Sequence, residues 1–466
     1  MRYLTLCTDY DGTLATEGQV FPETAAALES LIASGRRVVL VTGRELDDLQ
    51  RVCPYLHLFD YVVVENGALL YQPSTGTETP LAQRPPDSFV AALRARGVGP
   101  ISVGRVIVAT WEPHETVVLE TIKDQGLELQ VIFNKGAVMI LPAGVNKATG
   151  LAAALTRMCL SPHNAIGIGD AENDHALLAF CECGVAVANA LPTLKEAADF
   201  VTTGARGAGV TELVSAVLHD DLASHEPELT RHHILLGVDS HGQEVRIRPY
   251  GETILLAGNT GSGKSELAAG LLESLCEAKY SFCVIDPDGV YEATPGAVSL
   301  GSSARPPGVQ EILKLFRDPK ESGVINLSGL QIAQRQAFFT ELLPHLKELR
   351  ARTGRPHWLI IDSEQAPAEG QLTPSGLQIT ARPNLLSRSA LADVNLVLAT
   401  GDSPQQMIRE FCQMTDIATP AMDPVSLARG EALAWRPRTR SAAPFRLRVK
   451  PGELSDGLPR QEGVRR

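Results

Sequence analysis

Two groups of residues in this chain have the types and spacing for phosphate chemistry. Asp9-Tyr10-Asp11-Gly12-Thr13 closes an apolar run near the start. Two carboxylates one residue apart can divide the cleavage of a phosphate monoester. Asp9, at a strand end, is placed to attack phosphorus; Asp11, beyond the turn, can protonate the leaving oxygen and then deprotonate water. Gly12 permits the tight turn that brings both to one phosphate. Thr42 can donate its hydroxyl to a phosphate oxygen, and Lys147 can add positive charge. Gly169 to Asp174 supplies further carboxylates. Clustered acids facing an anionic substrate call for a cation between them, and Mg²⁺ suits such an oxygen-rich site.

The second group is Gly258-Asn259-Thr260-Gly261-Ser262-Gly263-Lys264-Ser265, which fits Gly-x-x-x-x-Gly-Lys-Ser. It follows the apolar run Ile254 to Ala257 and precedes a helical pattern from Glu266 to Leu275. Glycines in that context turn backbone N–H groups toward phosphates at a helix N-terminus. Lys264 would reach the β- and γ-phosphates of ATP, and Ser265 would bind Mg²⁺. A later apolar strand, Trp358 to Asp362, ends in an acid that would hold that metal through water, and Glu364 could orient an attacking water.

These residues need elements to hold them. Tyr3 to Thr8, Arg37 to Val41, Tyr61 to Val64 and Ala165 to Gly169 read as short apolar strands, and Pro22 to Ala33 as a helix. Such alternation predicts an α/β fold with a parallel sheet covered by helices. In such sheets the site lies beyond the carboxyl ends of the strands, where Asp9, Thr42 and Asp170 all fall. Residues 81–145, opened by Pro80, Pro85 and Pro86, break the rhythm. With strands expected at Leu127 to Val131 and Val138 to Leu141, they predict an inserted α/β cap on a core of residues 1–80 and 146–218. The polar stretch 219–231 is the expected linker. A hairpin from Ile234 to Ile247 then leads into the strand Thr253 to Ala257 of a second α/β domain, 232–450, with Phe282 to Ile285 and Val394 to Ala399 as further strands and 451–466 as a basic tail.

Over residues 1 to 216 the chain resembles the haloacid dehalogenase superfamily, in its subclass IIB or Cof-type branch. Four ordered motifs carry the resemblance: Asp9 to Thr13, Val41-Thr42-Gly43-Arg44, Gly144-Val145-Asn146-Lys147, and Gly169-Asp170 through Asn173-Asp174. Glu65-Asn66-Gly67-Ala68 and Gly184 to Ala190 also look like the branch. The resemblance implies a Rossmann-like core with its cap between the second and third motifs. It implies that Asp9 forms an aspartyl-phosphate and that Asp11 is the general acid and base. Mg²⁺ would be held by Asp9, Asp170 and the Asp11 carbonyl, with Asp174 organising the metal shell and Thr42 and Lys147 binding phosphate. Members commonly act on sugar phosphates or other small phosphomonoesters.

Residues 232 to 450 resemble the FtsK–HerA branch of P-loop ATPases, which implies a RecA-like domain. The carriers are the hairpin, the loop, Asp286-Pro287-Asp288-Gly289 after the next strand, and Arg355 to Asp362. Asp362 would be the Walker B acid. Members are often hexameric and move DNA or protein, which implies a homo-oligomer built through this domain. Three positions depart from the family. Ser363 separates Asp362 from Glu364, Val290 stands where a glutamate often follows the Asp-Pro-Asp-Gly stretch, and Gly401-Asp402 replace a sensor glutamine. These departures fall on hydrolysis and translocation rather than on ATP binding.

Composition bounds the partners. A chain of 466 residues calls for more than one core, and 44% hydrophobic content is that of a folded globular protein. A net charge of −12 argues against the whole chain as a nucleic-acid binder, although arginines from Arg436 to Arg466 cluster at the end. Eight scattered cysteines without zinc spacing, acids as early as Asp9 and Asp11, and no membrane-length apolar run lead to the expectation of a cytoplasmic protein without a signal peptide. The expected ligands are a small phosphorylated substrate, Mg²⁺ and ATP.

Overall fold

The structure is a computed structural model that describes residues 1–362, 375–439 and 443–449. The chain divides into two compact units, Met1–Arg231 and His232–Arg466.

The first unit is built on an eight-stranded sheet. Its spatial order is Phe200–Val201, Cys183–Ala186, Ala165–Gly169, Thr5–Thr8, Arg37–Val41, Tyr61–Val64, Leu69–Gln72 and Thr77–Pro80. The strands up to Tyr61–Val64 run parallel, and the last two fold back as antiparallel edges. The inner strands are apolar on both faces, as Val38 to Val41 show by being fully buried, because helices cover both sides. Asp9, Thr42, Glu65 and Asp170 each directly follow the carboxyl end of one of four adjacent strands.

Residues 81–145 contain a separate four-stranded antiparallel sheet, ordered Ser102–Val103, Val108–Trp111, Ala137–Pro142 and Leu129–Asn134. The helices Asp87–Ala95 and Glu115–Asp124 pack on it through Phe89, Leu93 and Val118. Both long strands run past their expected ends, because the apolar pattern continues through Ile132 and back from Ala137 around one tight turn. The stretch 219–231 packs more closely than a polar composition suggests. The helix Gly207–Asp220 enters it, and Leu222 and Leu229 are buried in the core of the first unit.

The second unit holds an eleven-stranded sheet. From Leu396–Thr400 the order runs through Thr253–Gly258, Gly376–Thr380, Trp358–Asp362, Phe282–Asp286 and Ser322–Asn326 to Ala297–Leu300, all parallel. Glu431–Trp435, Phe445–Val449, Ile234–Asp239 and Glu244–Ile247 extend the other side in antiparallel order. The helix after the glycine-rich loop begins at Lys264, two residues before the expected start, because Lys264 and Ser265 already form its first turn. The described arginines near the end of the chain stay partly solvated, Arg448 at 72% exposure, while meeting acids of this unit. Arg436 bonds Glu252, and Arg446 and Arg448 approach Glu431. Arg440, Lys450, Arg460, Arg465 and Arg466 lie outside the described residues.

Candidate functional site

In the first unit, strand ends and one helix start converge on a small acidic centre. Lys147 is the first residue of the helix Lys147–Arg157, fixed there by a reciprocal cap in which Asn146 and Thr149 exchange side-chain and backbone hydrogen bonds. Its side chain is 1% exposed and donates to Asp9 Oδ1 at 2.5 Å and to Asp174 Oδ1 at 2.6 Å. The other oxygen of Asp174 accepts the backbone N–H groups of Asp170 and Ala171, both at 3.0 Å. Asp9, Asp170 and Asp174 each present a carboxylate oxygen within 4.8 Å of the others.

One ammonium shared by two buried carboxylates leaves negative charge in excess. Burial pushes the Asp9 carboxyl up to about 7; the charge of Asp174 adds to this, and Lys147 opposes it. Burial also raises Asp170, with Lys135 opposing. For Lys147 burial works against the charged form, but the charges of Asp174 and Asp9 outweigh it and raise the ammonium above the ordinary lysine range.

Asp11 lies beyond the turn, and Arg44 holds its carboxylate with two parallel bonds, Nε to Oδ2 at 2.6 Å and Nη2 to Oδ1 at 2.8 Å. Gly12 is required twice over: φ is +86°, and a Cβ there would overlap the Asp170 carboxylate. Thr42 is buried at the same strand ends, and its Oγ1 accepts the Arg44 N–H at 3.2 Å. Asn173 donates to Asn66 Oδ1 at 2.9 Å.

The cap closes over this centre. A cavity of about 920 Å³ is lined by Asp9, Asp11, Thr42, Arg44 and Asn173 from the core and by Trp111, Asn134, Lys135 and Met139 from the cap. His114, another cap residue with substrate-binding chemistry, instead meets the Gly99 carbonyl at 3.0 Å. Two residues join cap to core. Glu65 is fully buried and accepts the backbone N–H groups of Arg105, Val106 and Ile107 at 2.8, 2.7 and 2.8 Å. Lys135 Nζ donates to the Asp11 carbonyl at 2.7 Å and to Asp170 Oδ2 at 2.9 Å.

The loop Gly258 to Ser265 joins the strand Thr253–Gly258 to the helix Lys264–Glu277. Gly261 and Gly263 take φ of +79° and +88°, which open the loop into a cradle of backbone groups. Lys264 Nζ donates to the carbonyls of Gly258 and Asn259 at 2.6 and 3.0 Å. Thr400, at the end of the next strand, donates to the Ser262 carbonyl at 3.0 Å and braces the loop. Asp362 stands at the end of Trp358–Asp362, two strands from the loop's own strand, and burial pushes it up to about 6. Tyr291 was not singled out by the sequence, yet its buried hydroxyl donates to Asp362 Oδ2 at 2.9 Å. Asp286 accepts four backbone N–H groups, from Asp288 to Tyr291, which fixes the turn that delivers Tyr291. Glu364 lies outside the described residues.

A parallel sheet carries an Asp-x-Asp turn, a buried lysine and an acidic triad at its strand ends, under an inserted cap. Residues 6–99 and 100–214 match the family described as haloacid dehalogenase-like hydrolase. The chain is 29% identical over 221 residues to phosphoglycolate phosphatase 2 of Saccharolobus solfataricus, covering 46% of this chain and 92% of that one. It is 31% identical over 223 residues to a phosphoglycolate phosphatase of Haloarcula marismortui, covering 45% and 95%. A haloacid dehalogenase-like hydrolase from Bacteroides thetaiotaomicron superposes with a TM-score of 0.42 at 18% identity, over 46% of this chain and 99% of the other. The chain belongs to the haloacid dehalogenase-like hydrolases, and its first unit is a phosphatase of that family. Residues 250–310 match the family described as helicase HerA, central domain, so the phosphatase is fused to a HerA-like P-loop domain. Among the described residues no helix is long and apolar enough to cross a membrane.

Proposed function

We propose that the first unit is a Mg²⁺-dependent phosphomonoesterase acting through an aspartyl-phosphate on a small phosphorylated metabolite. The observation that carries this is Lys147, buried and shared between Asp9 and Asp174 next to Asp170. The donor set fits a hard divalent cation: three carboxylates present oxygens within 4.8 Å of one another, and the Asp11 carbonyl and Asp170 already face a common cation in Lys135. Asp9, Asp170 and the Asp11 carbonyl would hold Mg²⁺, and Asp174 would orient the set. When bound, the ion supplies positive charge to the phosphoryl oxygens.

The chain's own residues then divide the reaction. A carboxylate oxygen of Asp9 bonds to phosphorus as the ester P–O bond breaks, and Asp11, released from Arg44 and protonated from solvent, gives that proton to the leaving oxygen. Water attacks the aspartyl-phosphate, Asp11 takes its proton, and orthophosphate leaves with Asp9 restored. Thr42 and Lys147 hold phosphate oxygens through a hydroxyl and an ammonium. Arg44 holds the Asp11 carboxylate until substrate arrives. A cavity of about 920 Å³ suits a compact substrate, sugar phosphates and phosphoglycolate among them.

The second unit binds ATP in the cradle from Gly258 to Ser265, with Ser265 and Asp362 toward Mg²⁺, and regulates or assembles the phosphatase through a homo-oligomer. The likeness to the HerA central domain favours a second reading, a nucleic-acid-associated ATPase carrying an accessory phosphatase. Phosphate release from a panel of small monoesters with Mg²⁺, in wild type and Asp9→Asn, with and without an ATP analogue, tests the first reading. Turnover of a small phosphate that disappears in the variant supports it. No turnover across the panel, together with ATP hydrolysis stimulated by DNA, would replace it with the second.

A further inference from the structure

We propose that Lys135, carried by the cap, competes with the divalent cation for the core's acidic site, so that metal binding and this cap contact exclude one another. The inference rests on the reading of Asp9, Asp11 and Asp170 as the metal site.

Lys135 sits in the tight turn between the cap strands Leu129–Asn134 and Ala137–Pro142. Its φ is +50° and that of Gly136 is +84°, the two left-handed positions that a two-residue hairpin turn requires. From this turn the side chain crosses the cavity to the core. Its ammonium is 2.7 Å from the Asp11 carbonyl oxygen and 2.9 Å from Asp170 Oδ2. Lys147 serves a different pair, Asp9 and Asp174. The two lysines therefore partition the site: the core's own lysine takes the nucleophile side, and the cap's lysine takes two of the three oxygens assigned to the metal.

Those oxygens cannot serve both cations at once. Mg²⁺ needs them at about 2.1 Å in a near-octahedral shell, and an ammonium on the same lone pairs would lie within contact distance of the ion. Whichever cation binds displaces the other, and by linkage each weakens the other's hold by the same factor. The cap does not depend on Lys135 to stay attached, because Glu65 pins Arg105 to Ile107 through three backbone hydrogen bonds. Displacement of Lys135 would free the hairpin turn while the pinned strand end stays in place. Metal loading would thus loosen the cap edge that borders the cavity.

The test uses the full chain stripped of metal and without nucleotide. Calorimetric titration with Mg²⁺ compares wild type, Asp170→Asn and Lys135→Asn; asparagine tolerates the left-handed turn, and the position is half-exposed. Heat that vanishes in Asp170→Asn identifies the site. We expect Lys135→Asn to bind Mg²⁺ with a Kd about threefold to tenfold lower than wild type, the competing contact having been removed. In wild type, Mg²⁺ should also speed amide exchange in residues 133–137, and Asp170→Asn should abolish that response. An equal or higher Kd in Lys135→Asn overturns the competition, as does Mg²⁺ that slows the turn or leaves it unchanged. Wild type that binds no Mg²⁺ would overturn the metal reading itself, which is a separate failure.

Discussion

The Tyr291 hydroxyl donates to Asp362 Oδ2 at 2.9 Å, linking the turn after Phe282–Asp286 to the end of Trp358–Asp362. Burial raises Asp362, and this hydrogen bond works against that rise. Tyr291→Phe removes the donor and leaves a buried carboxyl short of a partner. We expect a loss of about 1–2 kcal/mol in the nucleotide-free protein. Urea unfolding monitored on the second unit measures it. A midpoint equal to wild type would mean that solvent already satisfies Asp362.

Asp9 gives a pH dependence with a definite sign. Its carboxyl is raised to about 7 in the folded protein, chiefly by burial and then by the Asp174 charge. A carboxyl with a raised folded pKa holds more protons folded than unfolded, so stability falls as pH climbs from about 4 to about 7. In chelator, Asp9→Asn should lose less stability across that window than wild type, while its phosphatase activity drops by about a thousandfold or more. Thermal melts at three pH values with parallel phosphate assays check both. A steeper pH dependence in the variant would contradict the assignment.

Lys147 is the cation shared by Asp9 and Asp174. Lys147→Met keeps an unbranched side chain one atom shorter and removes the charge. Two buried carboxylates then face each other uncompensated, and we expect a loss of about 3–5 kcal/mol with activity abolished. Millimolar Mg²⁺ should return part of that stability to the variant and less to wild type, because the variant has more uncompensated charge to offset. Chemical denaturation with and without Mg²⁺ measures this, and a loss that Mg²⁺ leaves untouched would argue for a packing defect instead.

Glu65 joins the core to the cap through the backbone of Arg105, Val106 and Ile107. Glu65→Ala orphans three amide groups, two of them in buried residues, at a cost of about 2–4 kcal/mol. Glu65→Gln retains one acceptor and should cost less. Hydrogen exchange at residues 105–107 should rise in the order wild type, Gln, Ala, with KM rising in the same order. Unchanged exchange in Glu65→Ala would show that the cap is held by other contacts.

The residues legible in the sequence share a property. Asp9, Thr42 and Asp170 sit one position past apolar strands, and Lys147 and Lys264 open helices, so each is announced by neighbours within a few residues. Gly12, Gly261 and Gly263 are legible for the same reason, since the turns they permit are local. The parallel core of the first unit followed from its strand pattern. The antiparallel edge strands Leu69–Gln72 and Thr77–Pro80 did not, nor did the interior strand Gly376–Thr380 of the second unit, which enters between Thr253–Gly258 and Trp358–Asp362. The packing of Leu222 and Leu229 was hidden by the polar residues around them.

From its sequence alone the chain declared two phosphate-handling modules, the strand-end acids and the glycine-rich cradle, because both depend on short-range geometry that a few residues dictate. Tertiary structure decided how those acids are partnered. That Lys147 serves Asp9 and Asp174 while Lys135 reaches Asp170 from another sheet, and that Glu65 takes its partners from the cap, depends on residues far apart in the chain approaching within hydrogen-bond distance. Lysine and glutamate are common on any surface, and nothing in their immediate neighbours distinguishes a buried partner from a solvated one. Burial and proximity, which only the packed fold supplies, give these charges their energetic weight.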